Sequence, residues 1–194
     1  MEEVSFGEIK KAQKGDKKVF ERIMTVYRQR ITDLCYRYMR NTDEAVDIAQ
    51  EVFCRAYAEL RSFKFKSKVS TWLYRMTVNI CLNRRIFLKR RRFFETGSLT
   101  ADEENDERQI DVKDTKHLAD EEMETKETRR VIMAEVGNLE PEEKSLVILR
   151  EIEEMEYEEI AKILKMPVGS VKSKLWRARE KLKQRLTGKL GDEK

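Results

Sequence analysis

The segment Tyr157–Leu186, reading YEEIAKILKMPVGSVKSKLWRAREKLKQRL, constrains the fold more than any other part of the chain. Ile160, Ala161 and Leu164 fall on one face of a helix, Lys165-Met166-Pro167 interrupts it, and Val171, Leu175 and Leu182 open a second apolar face. That second stretch is dense in Lys and Arg, so the pattern is a helix, a short turn and a basic helix. The small Ala161 lets the second helix cross close over the first, and Val171 fills the contact between them. Pro167 ends the first helix and suits the start of the next. Gly169 and Ser170 keep that start slim, with a hydroxyl able to cap it or meet a phosphate. Such turns often carry Gly where this chain has Lys165, so a residue with a Cβ is expected in a left-handed conformation.

The polar face of the second helix holds Lys172, Ser173, Trp176, Arg177 and Arg179. These residue types read base edges or hold a DNA backbone. The same spacing also fits an ordinary helical hairpin with a solvated basic face.

With 194 residues the chain has room for one medium domain or two small ones. Charged and hydrophobic residues each make up 40%, and only 7 Gly and 2 Pro occur, which favours an all-α protein built from amphipathic faces. The net charge of +4 hides a split: Glu95 to Glu127 holds 13 Asp/Glu against 4 Lys/Arg, leaving +13 for the rest. Two basic bodies flanking an acidic connector point to a polyanionic partner, and nucleic acid is the first candidate.

No apolar run approaches a membrane span, and MEEVSFGEIKK has neither a basic leader nor an apolar signal core, so a cytoplasmic protein is expected. Cys35, Cys54 and Cys81 lie far apart inside apolar helical patterns and read as buried reduced thiols. His117 is the only histidine and has no Cys neighbour, which argues against a zinc site or a His-based catalytic dyad. No metal, cofactor or catalytic residue is expected.

Along the chain, Ser5 with Glu8 forms a capping-box pattern that opens a short helix ending near Gly15, and Asp16 can cap the next. Val19, Phe20, Ile23, Tyr27, Ile31, Leu34, Cys35 and Tyr38 then recur at helical spacing to about Arg40. A third helix from Thr42 turns Ala45, Ile48, Ala49, Val52, Phe53, Ala56, Tyr57 and Leu60 inward. Its outward face carries Asp47, Gln50, Glu51 and Arg55, which taken alone read as a solvated surface. In the loop RSFKFKSK that follows, an exposed Phe63 or Phe65 beside Lys64 and Lys66 could stack on an unpaired base, or both rings could fold under the loop as core.

A fourth helix from about Ser70 carries Trp72, Leu73, Met76, Ile80 and Phe87 inward and ends in the four cations Lys89 to Arg92. Such a run is costly unless water or a polyanion screens it. Periodicity fails from Glu95 to about Glu124, which reads as a flexible acidic linker. Thr128 to Leu139 then forms a helix with Val131, Ile132 and Val136 inside, and Pro141 opens another containing Leu146, Val147, Leu149 and Ile152.

These residues together resemble the bacterial sigma-70 family of RNA polymerase sigma factors, in particular the extracytoplasmic-function (ECF) group. Asp47-Ile-Ala-Gln50-Glu51-Val-Phe53 resembles its polymerase-binding helix, and Ser70-Thr-Trp72-Leu73-Tyr74-Arg75 with Asn79 and the basic run resembles its minus-ten region. Pro167 through Arg179 resembles its minus-thirty-five recognition helix. The resemblance implies two small helical domains, 1–94 and 125–194, joined by the flexible acidic linker 95–124, the second a helix-turn-helix domain.

It further implies that Asp47, Gln50 and Glu51 dock on the clamp of the polymerase largest subunit. Phe63, Lys64, Phe65, Lys66, Arg75 and Asn79 would capture single-stranded minus-ten bases, with Arg84, Arg85, Arg90, Arg91 and Arg92 on phosphates. Lys172, Ser173, Trp176 and Arg177 would meet base edges of the double-stranded upstream element, with Arg150, Ser170, Lys174 and Arg179 nearer the backbone. The implied function is a promoter-specificity subunit that binds core polymerase and helps open DNA, without enzymatic activity of its own. Many members of the group are held by an anti-sigma partner. The competing reading is an autonomous helix-turn-helix regulator that works without docking on polymerase.

Overall fold

The computed structural model describes residues 4–96 and 119–190. Contacts divide the chain into two compact units, Met1–Gln109 and Ile110–Lys194. Among the described residues there is no strand.

The first unit is built from α1 (Phe6–Gln13), α2 (Lys17–Met39), α3 (Thr42–Glu59), a 3-10 turn (Leu60–Ser62) and α4 (Val69–Thr96). Polar side chains set the helix starts. Ser5 and Glu8 close a reciprocal capping box on α1, and the Ser5 backbone N–H and hydroxyl hold the Glu8 carboxyl below its ordinary value. Asp16 accepts from the Val19 N–H to cap α2, and Asn41 accepts from the Glu44 N–H to cap α3. Arg40, in a left-handed conformation, ends α2.

α2, α3 and α4 pack against one another in pairs, and α1 lies against α2. Ile31, Leu34, Cys35, Ile48, Val52, Leu73, Val78 and Cys81 are shut off from solvent in the middle of this body. Beyond Cys81 no apolar residue of α4 is fully buried among those described, and Leu82 and Leu88 are only half-buried. Phe87, expected inward, is exposed, as are Ile86, Phe93 and Phe94. Tyr57 is half-exposed, its edge against the Phe20 ring at 4.9 Å. Of the three thiols expected to be buried, Cys35 and Cys81 are, but Cys54 faces outward on α3.

The second unit contains α5 (Ala119–Gly137), α6 (Pro141–Val147), a π-turn (Ile148–Ile152), α7 (Tyr157–Leu164) and α8 (Val168–Leu190). α5 begins nine residues before the expected Thr128, inside the stretch expected to be linker; residues 97–118 of that stretch lie outside the described residues. The core is aliphatic: Val136, Leu139, Leu146, Ile148, Leu149, Ile160, Ile163, Val171, Leu175 and Ala178. Ile132 stays exposed. Each buried Leu or Ile here contributes about 1.5–3 kcal/mol relative to an exposed one.

Lys165 has φ 53 and ψ 47, the left-handed conformation its position demands, and its N–H together with that of Met166 returns to the Ala161 carbonyl. The Pro167 carbonyl then accepts from Ser170 and Val171 at 2.9 and 3.1 Å, which starts α8. The turn therefore delivers α8 across α7 with Val171 fully buried at the crossing.

Candidate nucleic-acid interface

On α8 the sequence places Val171, Leu175, Ala178 and Leu182 on the buried side at helical spacing, which turns the residues between them outward. Lys172, Ser173, Trp176 and Arg177 form that outward face, with Trp176 63% exposed. An indole so open to water serves no packing role within the unit. The Ser173 hydroxyl donates to the Ser170 carbonyl at 3.2 Å, and Ser170 itself is half-buried in the first turn.

Tyr157, not singled out in the sequence, organises one edge of this face. Its ring lies under the Lys172 ammonium at 5.4 Å and the Arg150 guanidinium at 4.9 Å. Arg150 also donates to the Met155 carbonyl at 2.7 Å and pairs with Glu156 at 3.7 Å. An aromatic residue opening α7, seven positions after an Arg, was the available signal. The π-turn that brings the two together was not readable.

Three other cations of α8 are held by carboxylates from α6 and the π-turn. Lys174 meets Glu142 at 2.6 Å, Lys181 meets Glu143 at 2.6 Å, and Arg179 donates through Nε and Nη2 to one oxygen of Glu151 at 3.0 and 2.6 Å. Those hydrogen bonds to Glu151 raise the Arg179 pKa above its ordinary value. Exposed pairs of this kind contribute about 0.2–1 kcal/mol each. Of the eight residues expected at the upstream element, Lys172, Ser173, Trp176 and Arg177 thus share the open face. Arg150, Lys174 and Arg179 are engaged at its margins.

In the first unit Asp47 and Gln50 are exposed on α3, opposite the buried Ile48, Ala49 and Val52. Glu51 is half-buried and pairs with Arg55 one turn on at 2.6 Å. The loop after the 3-10 turn is tied down from α1: the Gln13 amide donates to the carbonyls of Leu60 and Phe63 at 3.0 and 2.8 Å. Phe63 is buried, with its ring 5.1 Å from both Trp72 and Phe65. Phe65, at φ 54, turns back onto Phe6 at 4.4 Å and is half-buried, while Lys64 and Lys66 stand exposed on either side.

Arg75 and Asn79 are exposed one turn apart on α4. Arg84 is paired with Glu44 of α3 at 2.8 Å, and Arg85 is half-buried. Arg90 and Arg91 are exposed, and Arg92 lies in α4 with its side chain outside the described residues. Among the described residues no group of His, Cys, Asp and Glu is arranged to hold a metal, and no helix is long and apolar enough to cross a membrane.

A two-unit helical chain ending in a helix-turn-helix with an open Trp and Arg face belongs to a recognisable class of DNA-binding proteins, and comparison with known proteins defines which. Residues 23–92 match the model for sigma-70 region 2, and residues 129–182 match that for sigma-70 region 4. An ECF RNA polymerase sigma-E factor from Haemophilus influenzae is 34% identical over 92% of this chain and 93% of its own length. The ECF RNA polymerase sigma factor SigW of Bacillus subtilis is 33% identical over 92% of this chain and 94% of its own.

Among solved structures, CnrH in complex with the cytosolic domain of CnrY superposes with a TM-score of 0.65 at 19% identity, covering 93% of this chain and 96% of that one. The sigma factor RpoE in complex with the anti-sigma factor NepR from Bartonella quintana gives 0.65 at 20% identity, over 88% and 98%. Both share the fold. The chain belongs to the sigma-70 family, in its ECF group.

Proposed function

We infer that this chain is a sigma factor: it binds core RNA polymerase, directs it to particular promoters and assists opening of the DNA at initiation. The observation that carries this reading is the pairing of the two regions in one chain, in order, with the helix of the second offering Trp176 and Arg177 to solvent on an otherwise well-packed unit. Residues 1–94 act as the polymerase and minus-ten domain, 95–124 as the connector and 125–194 as the minus-thirty-five domain.

Asp47, Gln50 and Glu51 dock on the clamp of the largest polymerase subunit. Their position on the solvent side of α3, away from the core, supports that role. In the minus-ten domain, Arg75 and Asn79 face unpaired bases. Lys64, Lys66 and the basic end of α4 (Arg84, Arg85 and Arg90 to Arg92) hold the strand's phosphates. The Phe63–Phe65 ring pair braces the loop beneath, with Phe65 as the ring open to a base. Base flipping costs a few kcal/mol of unstacking, which a cationic surface with an aromatic platform offsets.

In the minus-thirty-five domain Lys172, Ser173, Trp176 and Arg177 read base edges, while Arg150, Ser170, Lys174 and Arg179 lie along the backbone. Catalysis belongs to the polymerase. The chain acts in the cytoplasm, and an anti-sigma protein is a further partner, as in the RpoE complex with NepR.

Run-off transcription with core polymerase and this protein on a library of promoter sequences tests the reading. Enrichment of a two-part promoter is the expected outcome. Gln50→Ala combined with Glu51→Lys abolishes core-polymerase pull-down while the helical signal and melting temperature stay unchanged. Undiminished pull-down would instead favour an autonomous helix-turn-helix regulator.

A further inference from the structure

The cations of α8 exist in two states. Arg177 is exposed on the reading face, whereas Lys174, Arg179 and Lys181 each meet a carboxylate at 2.6 Å. The partners are Glu142 and Glu143 of α6 and Glu151 of the π-turn, 28 to 38 residues away in sequence. These pairs are made by the tertiary fold and not by neighbours along one helix. Glu142 and Glu151 are as exposed as the cations they hold, at 47% and 41%, so water and salt reach both contacts.

A guanidinium that donates through two nitrogens to one carboxylate oxygen offers the same donors to a phosphate oxygen. A DNA backbone reaching Arg179 or Lys174 must therefore displace a carboxylate already in place. We propose that Glu142 and Glu151 are built-in competitors of DNA phosphate that lower the affinity of this domain for duplex without altering which sequence it prefers. This rests on the reading of α8 as the upstream recognition helix.

The competition is local. Each carboxylate serves its cation as an internal counterion, so contact with a phosphate replaces one anion by another and gains less than contact by a free cation. The loss falls equally on matched and unmatched DNA, because phosphates carry no sequence information. Base preference stays with Lys172, Ser173, Trp176 and Arg177. A domain so restrained binds DNA weakly alone and depends on the rest of the polymerase complex to concentrate it at the promoter.

The test uses the full chain and two duplexes: one carrying an upstream element recovered from the transcription library, the other a scramble of it. Glu142→Gln and Glu151→Gln each raise affinity for both duplexes by about two- to fivefold, the factor an exposed ion pair contributes. The double variant rises by roughly tenfold and steepens the plot of log affinity against log salt by about one to two units, while the ratio between duplexes holds. Glu154→Gln adds the same charge at an exposed turn residue with no ion pair found among the described residues, and it leaves affinity near wild type.

Arg179→Gln provides the second measurement: it costs more affinity in the Glu151→Gln background than in the wild type. The Glu142–Lys174 pair gives the same cycle independently should either variant at 151 melt early. Equal affinities for Glu151→Gln and Glu154→Gln, or additive losses in both cycles, would overturn the proposal. A wild-type chain that supports transcription from the enriched promoters but shows no such coupling sinks this inference alone. A chain that supports none sinks the sigma reading beneath it.

Discussion

α4 and α8 are both long basic helices, of 28 and 23 residues, and they handle charge and apolar surface in opposite ways. The buried stripe of α8 runs from Val171 to Leu182, and most of its flanking cations are matched by carboxylates from α6 and the π-turn. The buried stripe of α4 stops at Cys81, and after the Arg84–Glu44 pair the helix overhangs its body with Ile86, Phe87, Lys89, Arg90 and Phe94 exposed. For Lys89 and Arg90 no ion pair is found among the described residues. One helix has three of its cations matched by its own unit. The other leaves Lys89, Arg90 and the apolar surface of Ile86, Phe87 and Phe94 open to solvent, which is the condition a polyanion or a protein partner relieves.

The contrast is sharpest in stability. Leu175→Ala, at a site 1% exposed, destabilises the second unit by about 2–5 kcal/mol, whereas Phe87→Ala on the overhang changes stability by less than about 0.5 kcal/mol. Chemical denaturation followed by helical signal checks both. A large loss for Phe87→Ala would show that the end of α4 is covered after all.

Next in size is a functional effect without a structural one. Arg177→Ala, two positions from Leu175, lowers transcription from promoters that depend on the upstream element and relaxes their sequence preference by about 1–3 kcal/mol at the contacted base, with the melting temperature unchanged. Uniform loss on all DNA would instead mark Arg177 as a phosphate contact.

The smallest effect probes the turn that aims α8. Lys165 carries a Cβ at φ 53, so Lys165→Gly relieves strain and stabilises the unit by up to about 1 kcal/mol, an effect partly offset by the greater freedom of Gly in the unfolded chain. A loss of stability on that substitution would show the Lys165 side chain to be held by a favourable contact.

Much of the α7–α8 pair was legible because its apolar residues recur at helical spacing. Ile160, Val171, Leu175 and Leu182 are all buried, and the left-handed Lys165 followed from its place at the turn position where such motifs often carry Gly. Adjacent apolar residues blurred the phase by one position: Ile163 is fully buried where Leu164, half-buried, was expected. On α4 the periodicity continued past the point where α2 and α3 end, so a helical pattern alone assigned Phe87 to a core that does not extend so far. Cys54 misses in the same direction, a modestly apolar residue on the outward side of a helix whose neighbours Val52 and Phe53 are buried.

For the interface, exposure of Lys172, Ser173, Trp176 and Arg177 follows from the α8 stripe, since a buried face at one phase fixes the open face at the other. The pairs that occupy Lys174 and Arg179 were not legible. They join residues 32 and 28 apart, and nothing in the spacing of Glu142 or Glu151 marks their partners. Phe63 and Phe65 were ambiguous for a related reason: alternating rings and cations fit both an open loop and a folded one. The Gln13 amide, 50 residues from Phe63, draws the loop against α1.

The π-turn at Ile148–Ile152 has a consequence for how this chain tolerates change. Its closing hydrogen bond runs from the Glu153 N–H to the Ile148 carbonyl at 3.0 Å, so the turn holds one residue more than an α-helical turn would. Everything after it is rotated by that surplus residue, and Arg150 reaches Tyr157 while Glu151 reaches Arg179 on α8. Removing any single residue from this turn would restore a regular helix and throw both side chains out of phase, even if every amino acid that makes a contact were kept. The segment is therefore under a constraint of length as well as of identity: outside the buried Ile148 and Leu149, single substitutions are mild where a one-residue deletion is severe.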